Sequence, residues 1–114
     1  MSGLTRRHRL RGAAVFAAVF RRGQRFEGER FQLVAVPANR EGRVGYVIGK
    51  KLLARAVDRN RLKRTLREAI RVRRPAMNAF DVIVRLRRPC ASKDLAAALA
   101  DASALLDALG SGKQ

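Results

Sequence analysis

Three stretches of the chain repeat apolar residues at the spacing of an amphipathic helix. The first covers residues 12–22 and is expected to end near Gly23. The second and longest covers residues 52–73, and Pro75 is expected to end it. The third begins at Ser92, a good N-cap, and continues to about Leu109. The apolar stripes consist of Val15, Phe16, Val19 and Phe20; Ala56, Val57, Leu62, Leu66, Ala69 and Ile70; and Leu95, Leu99, Leu105, Leu106 and Leu109.

Shorter β-prone runs lie between these helices. Residues 31–36 form one run that stops at Pro37, and residues 43–48 form the next. A turn through residues 38–42 makes these two runs a plausible hairpin, preceded by a short strand at residues 25–27. Residues 81–86 form a further strand, which is stopped by Pro89. Strands mixed with helices in a chain of 114 residues predict a single α+β domain. Residues 1–11 are expected to form a mobile basic arm, and residues 110–114 a frayed tail.

The charge balance limits what this domain binds. Lysine and arginine number 26 against 9 aspartate and glutamate residues, which gives a formal net charge of +17. Hydrophobic residues make up 47% of the chain, so a folded core is expected rather than a disordered basic tail. Self-repulsion on this scale opposes compaction unless a polyanion offsets it. Nucleic acid is the first candidate for that polyanion, and an anionic membrane is the second.

The positive charge is concentrated in the long helix and the residues before it. Residues 50–74 hold 11 basic residues, opposed only by Asp58 and Glu68. The last helix is mildly acidic, with Asp94, Asp101 and Asp107 expected to point outward. At helical spacing, Arg59, Lys63 and Arg67 share one face, and Arg64 and Arg71 lie beside them. Asn60 adds a group that donates and accepts hydrogen bonds, as contact with a ribose hydroxyl or a base edge requires. The alternative interpretation is a solvated helix face, although such faces usually mix both signs of charge.

These residues carry a resemblance to a known family. Arg59-Asn60-Arg61, followed by Lys63-Arg64 and Arg67-Glu68, resembles the arginine-asparagine-arginine helix of the bacterial ribonuclease P protein family. The softer matches on either side are Gly49-Lys50-Lys51, Ala56-Val57, Phe16, Val19, Phe20, Gly23, Arg43-Val44-Gly45, residues 80–84 and Arg88-Pro89. The resemblance extends from about residue 10 to residue 109.

The resemblance implies a two-layer α/β sandwich with about three helices and a left-handed βαβ crossover. It also implies that a catalytic RNA carries out the Mg²⁺-dependent chemistry and holds most of the Mg²⁺. No organic cofactor and no catalytic residue of the protein are then expected. The protein would bind the ribonuclease P RNA through the basic helix and promote removal of the 5′ leader from precursor tRNA. The RNA-binding residues expected on this basis are Lys50, Lys51, Arg55, Arg59, Asn60, Arg61, Lys63, Arg64, Arg67 and Arg71.

A second site implied by the resemblance is a cleft that grips the single-stranded leader. Phe16 and Phe20 lie one turn apart, and unpaired bases stack on such rings. Periodicity alone favours an ordinary core role for both rings. Gln32 and Val34 are expected on the wall formed by the sheet, where the family often has an aromatic residue near the position of Val34.

Other kinds of chemistry lack candidate residues. Cys90 is the single cysteine, so no internal disulfide is expected, and no disulfide-linked partner either. His8 is the single histidine and is assigned no role, and no metal site made of protein alone is expected. Charges interrupt every apolar run, so no membrane span is expected and the protein is expected to be cytoplasmic. Two further hypotheses stay open: a ribosomal or general RNA-chaperone protein with no role in cleavage, and a basic protein of the membrane surface.

Overall fold

The computed structural model describes residues 9–10, 12–38, 41–74 and 79–110. Within these residues, three helices and four strands confirm the expected α+β class. In chain order the elements are α1 (Ala13–Arg22), β1 (Gln24–Glu27), β2 (Phe31–Pro37), β3 (Val44–Val47), α2 (Ala56–Val72), β4 (Phe80–Leu86), a 3₁₀ turn (Ser92–Asp94) and α3 (Leu95–Gly110).

The strands form one mixed sheet in the order β1-β2-β4-β3. β2 pairs antiparallel with β4 over seven residues, from Phe31 opposite Leu86 to Pro37 opposite Phe80. The predicted hairpin between β2 and β3 is therefore wrong, because β4 lies between them. β2 and β4 are seven residues long and buried over most of their length, which suits the centre of the sheet. β3 has only four residues, and its last two are half-buried, which suits an edge. β3 pairs in parallel with β4, with α2 as the crossover between them. The left hand of this crossover stays a prediction.

Alternating residues of the central strands supply two cores on opposite faces of the sheet. On one face, Phe31 and Leu33 of β2 pack with residues of α2 and α3 in the larger cluster. On the other face, Val34 of β2 and Ile83 of β4 pack with Val19 of α1. The sheet with α2 and α3 makes the expected two layers, and α1 adds a partial layer on the second face.

The start of α2 differs from the prediction. The helix begins at Ala56 rather than Leu52, and Val57 is 58% exposed instead of belonging to the buried stripe. The preceding residues form a turn, in which Leu52 and Leu53 donate their N–H groups to the Gly49 carbonyl. The Leu52 carbonyl accepts a hydrogen bond from the Cys90 N–H, so it is bonded to a distant residue and not within α2. The stripe of Leu62, Leu66 and Ile70 is buried as expected. The helix ends at Val72, and Pro75 lies outside the described residues.

The cap of the last helix and one of its acidic residues, Asp101, were also wrongly predicted, whereas Asp107 is exposed as expected. Ser92 does not cap α3, because its hydroxyl donates to Asp58 Oδ2 on α2 and a 3₁₀ turn precedes the helix. Asp101 does not point into solvent. Its carboxylate accepts the N–H groups of Glu29, Arg30 and Phe31 at 2.9–3.0 Å, which ties the turn between β1 and β2 to α3.

The expected mobile arm is wrong for the two of its residues that the structure describes. Arg9 forms a parallel bridge with Val44, and Leu10 donates its N–H to the Val44 carbonyl at 2.9 Å. Leu10 is 4% exposed and belongs to the core beneath α1. Residues 1–8, 11 and 111–114 lie outside the described part of the chain. Gly110, expected in the frayed tail, is the last residue of α3.

Candidate nucleic-acid interface

The surface of α2 that faces away from the core carries most of the expected RNA-binding residues. Because Leu62, Leu66 and Ile70 face the sheet, the residues between them along the helix point outward. Asn60, Arg61, Arg64 and Arg67 are exposed, and Lys63 is half-buried at the side of the helix. We call Asn60, Arg61, Lys63, Arg64 and Arg67 the basic face of α2. Lys50, Lys51 and Arg55 are also exposed and belong to the segment that leads into the helix.

Carboxylates neutralise little of this surface. Within the described part of the chain, Arg61, Lys63, Arg64 and Arg67 have no carboxylate within ion-pair distance. Positive side chains one turn apart on a helix repel each other, so this arrangement destabilises the isolated helix slightly. Phosphates bound along the row would remove that repulsion.

Two of the expected cations are paired. The Arg71 guanidinium lies 2.5 Å from Glu68 Oε1, and it donates from both Nε and Nη2 to that carboxylate. This hydrogen bonding lowers the pKa of Glu68 and raises the pKa of Arg71, so both stay charged. Arg55 Nε lies 4.0 Å from Asp58 Oδ2, at the limit of an ion pair. Both arginines therefore offer less free charge than the sequence pattern suggests.

Arg59 has a structural role that the helical pattern conceals. Its Nη1 donates to the Leu53 carbonyl at 2.9 Å and to the Ala54 carbonyl at 2.7 Å. These bonds fold the side chain back towards the turn that precedes α2, so it does not extend with Arg64 and Arg67. Arg59 thus holds in place the segment that presents Lys50 and Lys51.

The other face of the sheet places two aromatic rings beside α1. Phe16 lies against Gly45 of β3, where an added Cβ would collide with the ring. The Arg85 guanidinium of β4 lies 5.6 Å from the centroid of the Phe20 ring, which is a cation–π distance. Both rings are half-buried, so they are neither full core residues nor free surface groups. We call the surface lined by Phe16, Phe20 and Arg85 the α1 groove.

The two strand residues expected in the cleft are placed differently from the rings. Val34 is fully buried beneath α1, packed with Val19, so it supports the groove from below and presents no surface. Gln32 is 3% exposed, and its Nε2 donates to Glu27 Oε2 at 2.6 Å. This bond is the largest cause that lowers the pKa of Glu27, and Arg87 adds to it from 2.6 Å. The Gln32 Oε1 oxygen is buried and accepts no hydrogen bond from the described residues.

Sequence reasoning missed Arg85 at this groove. The register pairs Arg85 with Gln32 of β2 and with Val47 of β3, so all three point to the face covered by α1. The signal was present, because Arg85 follows the apolar run Val82–Val84 at a position that alternation places on the same face as Ile83. The sequence does not show which ring Arg85 contacts or which strands lie beside it.

The remaining candidate groups are accounted for by packing. Cys90 is buried and unpaired, and burial raises the pKa of its thiol. Among the described residues, no group of three or more histidine, cysteine, aspartate or glutamate side chains is placed to hold a metal ion. Within that same part of the chain, no helix has the length and apolar character to cross a membrane.

Comparison with known proteins decides the family. A family model described as ribonuclease P matches residues 4–110. The ribonuclease P protein component of Burkholderia mallei is 41% identical over 98 residues, which cover 86% of this chain and 70% of the relative. The chain belongs to the ribonuclease P protein family. The corresponding component of Bordetella parapertussis is 40% identical over 107 residues, covering 88% of this chain and 86% of the relative.

Solved structures of ribonuclease P proteins share the same fold. The protein from Thermotoga maritima superposes with a TM-score of 0.70 at 27% identity, covering 86% of this chain and 94% of that one. A Staphylococcus aureus ribonuclease P protein gives a TM-score of 0.69 at 26% identity, covering 82% and 89% of the two chains. The resemblance based on the arginine-asparagine-arginine motif is confirmed.

Proposed function

We propose that this protein acts as the subunit of ribonuclease P that binds the catalytic RNA and the 5′ leader of precursor tRNA, and so promotes endonucleolytic removal of the leader. The observation that carries the proposal is the separation of two surfaces by the sheet. One face presents the basic face of α2, and the other presents the α1 groove. A protein with two such surfaces holds two RNA segments at once and supplies positioning rather than reacting groups.

The basic face of α2 suits the backbone of a folded RNA. Its cations lack carboxylate partners among the described residues, so each phosphate contact releases counterions without breaking an internal ion pair. Arginine predominates, and its planar guanidinium binds phosphate through two parallel hydrogen bonds. Asn60 lies among these arginines and has both a donor and an acceptor for ribose or base edges. Lys50, Lys51 and Arg55 extend the same surface towards β3.

The α1 groove suits an unpaired strand. Exposed parts of the Phe16 and Phe20 rings offer stacking surfaces, and stacking on an aromatic ring does not depend on base identity. Arg85 places a guanidinium beside the Phe20 ring, where it reaches a phosphate or stacks on a base. Gln32 and Val34 contribute by holding the groove floor, with the Gln32 amide anchored to Glu27.

The chemistry of cleavage belongs, in this proposal, to the RNA. The described residues include no cluster of carboxylates that could hold a Mg²⁺ ion, and several of the carboxylates are already held by cations or backbone donors. Glu68 is bound by Arg71 and Glu27 by Arg87, while Asp101 accepts three backbone N–H groups. The metal ions of the reaction would therefore be held mainly by RNA phosphates, and the protein alone would cleave nothing.

A cleavage assay on a precursor tRNA with a 5′ extension tests the proposal. The protein is added to bacterial ribonuclease P RNA at low Mg²⁺, with protein-only and RNA-only reactions as controls. We expect strong stimulation of cleavage at the mature 5′ end and no cleavage by the protein alone. RNA binding without any stimulation would contradict the proposal and favour the ribosomal or chaperone alternative.

Variants assign the two surfaces. Arg64→Ala with Arg67→Ala should weaken binding of the catalytic RNA, and Arg21→Ala with Arg22→Ala removes the same charge from α1 as a matched control. Two lost phosphate contacts should lower the magnitude of the slope of log affinity against log salt by about 1.4 to 1.8. If the Arg64/Arg67 and Arg21/Arg22 variants lose equal affinity for the catalytic RNA, binding depends on total charge and not on the basic face of α2.

Phe20→Ala should weaken binding of the leader-bearing precursor tRNA to the assembled enzyme about fivefold or more, and leave binding of mature tRNA unchanged.

A further inference from the structure

A second recess lies between α2 and the start of α3, beside the basic face of α2. It has a volume of about 340 Å³. Its floor is apolar and consists of Leu62 from α2 with Leu95 and Leu99 from α3. Leu62 and Leu95 are buried in the main core, so this floor is fixed by packing against the sheet. We call this recess the α2–α3 groove.

Two cations stand on opposite sides of the α2–α3 groove. Arg61 comes from α2, and Lys93 comes from the 3₁₀ turn before α3. Both side chains are exposed, and neither has a carboxylate partner within the described residues. The nearby carboxylate of Asp58 is already engaged, since it accepts from the Ser92 hydroxyl and lies 4.0 Å from Arg55. The Ser92–Asp58 bond also joins α2 to the 3₁₀ turn, so the two sides of the groove are held at a constant spacing.

We propose that the α2–α3 groove binds one unstacked nucleotide of the catalytic RNA. Its phosphate lies between Arg61 and Lys93, and its base packs on Ala96 and Leu99 above the buried floor. This inference rests on the proposed function, because it deepens the contact that α2 makes with that RNA.

Three observations select this occupant. An apolar floor between two unpaired cations matches a flat base joined to an anionic phosphate, whereas an uninterrupted duplex would touch only the cations. The volume lies near the lower end of the range for small-ligand sites, which suits a single nucleotide rather than a longer segment. The groove lies on the α2 face of the sheet, opposite Phe16 and Phe20, so the leader bound at α1 is not placed to fill it.

Filling the groove tests the inference. Ala96 lines it and Ala97 does not, although both alanines are exposed in the same turn of α3. Ala96→Phe and Ala97→Phe therefore add the same side chain inside and outside the groove. The affinity of each full-length variant for ribonuclease P RNA is measured beside the wild type, and thermal unfolding confirms that both variants fold. We expect Ala96→Phe to weaken binding about tenfold or more and Ala97→Phe to weaken it less than twofold.

A second measurement tests the phosphate contact. Arg61→Ala and Lys93→Ala are compared with the double variant, because two cations that share one phosphate give losses that do not multiply. We expect the affinity loss of the double variant to be several-fold smaller than the product of the losses of the two single variants. If the wild type binds the RNA but Ala96→Phe and Ala97→Phe behave alike, only the groove inference is overturned. If the wild type itself fails to bind, the proposed function falls and the inference falls with it.

Discussion

At the scale of single residues, Arg59 differs from the exposed arginines of α2 because its guanidinium bonds within the fold. Arg59→Ala leaves the Leu53 and Ala54 carbonyls without their charged donor. Since the site is partly exposed and water replaces some of the loss, we expect the free energy of unfolding to fall by about 1 to 2 kcal/mol. Urea unfolding measures this change. Arg64→Ala is the matched control, and it should leave stability unchanged while weakening RNA binding. Equal stability of the two variants would contradict the structural role.

Tyr46 gives a pH dependence that can be followed at one residue, because it is the only tyrosine and the chain has no tryptophan. Burial raises the pKa of Tyr46 to about 12, although the guanidinium groups of Arg67, Arg74 and Arg9 act in the opposite direction. The pKa of tyrosine in an unfolded chain is about 10. The stability that comes from keeping the hydroxyl neutral is therefore complete below pH 10 and is lost as the pH rises towards 12.

Tyrosinate absorbance measures this shift directly. We expect the folded protein to titrate about two pH units above the urea-unfolded protein. Tyr46→Phe should lose less stability between pH 10 and pH 12 than the wild type, and it controls for the lysines that deprotonate in the same range. A folded-state midpoint near pH 10 would show that the hydroxyl is solvated.

The residues of the basic face of α2 could be predicted from sequence because helical spacing decides which side chains point outward. Contacts between side chains far apart in the chain could not be predicted in this way. Ser92 reaches Asp58 across 34 positions. Arg85 of β4 meets the Phe20 ring of α1 over a sheet in which the pairing of β2 with β3 was wrongly predicted. Periodicity describes one element at a time, so it assigns a face to a residue without naming its partner.

At the scale of elements, the turn between β1 and β2 depends on a residue of α3. The Asp101 carboxylate accepts three backbone N–H groups from that turn, and Gly28 lies so close that an added Cβ would meet the carboxylate oxygens. Asp101→Ala removes all three acceptors. We expect unfolding to become easier by about 1 to 3 kcal/mol, and amide exchange at Glu29 and Phe31 to accelerate.

Asp107→Ala is the control for this element-scale prediction, because Asp107 lies on the same helix and its exposed ion pair with Arg73 is expected to contribute little. Urea unfolding of both variants compares the two carboxylates. If Asp101→Ala is no less stable than Asp107→Ala, the turn is held by the strands and not by α3.

The existence and type of most elements could be predicted, since apolar period and turn residues act locally. The boundaries and the pairing of strands depend on the rest of the molecule. Leu52 fits a helical stripe, yet the turn at Gly49 and the bond from Cys90 use its backbone instead. The pairing of β2 with β4 depends on a long buried ladder between strands that α2 and β3 separate in the chain. Neighbouring runs in the chain therefore predicted the wrong hairpin.

At the scale of the whole molecule, the sheet keeps the two proposed RNA surfaces apart. α1 packs on Val34 and Ile83, whereas α2 packs on the opposite face with Leu33 and Val84. Helices on opposite faces of a sheet are separated by well over the 7–10 Å beyond which substitutions act independently. The sheet is fully packed between them, so it offers no second arrangement through which one surface would alter the other.

This separation predicts additive effects of substitutions on the two faces. Phe20→Ala affects the α1 groove and Arg64→Ala the basic face of α2, and each should lower the cleavage of a leader-bearing precursor tRNA that a limiting concentration of the protein stimulates. The double variant should show the product of the two losses within about a factor of two. Arg64→Ala with Arg67→Ala is the comparison pair within one face, where neighbouring phosphate contacts should depart from that product. A large departure for the cross-sheet pair would mean that bound RNA couples the two surfaces, because the packed sheet between them provides no such path.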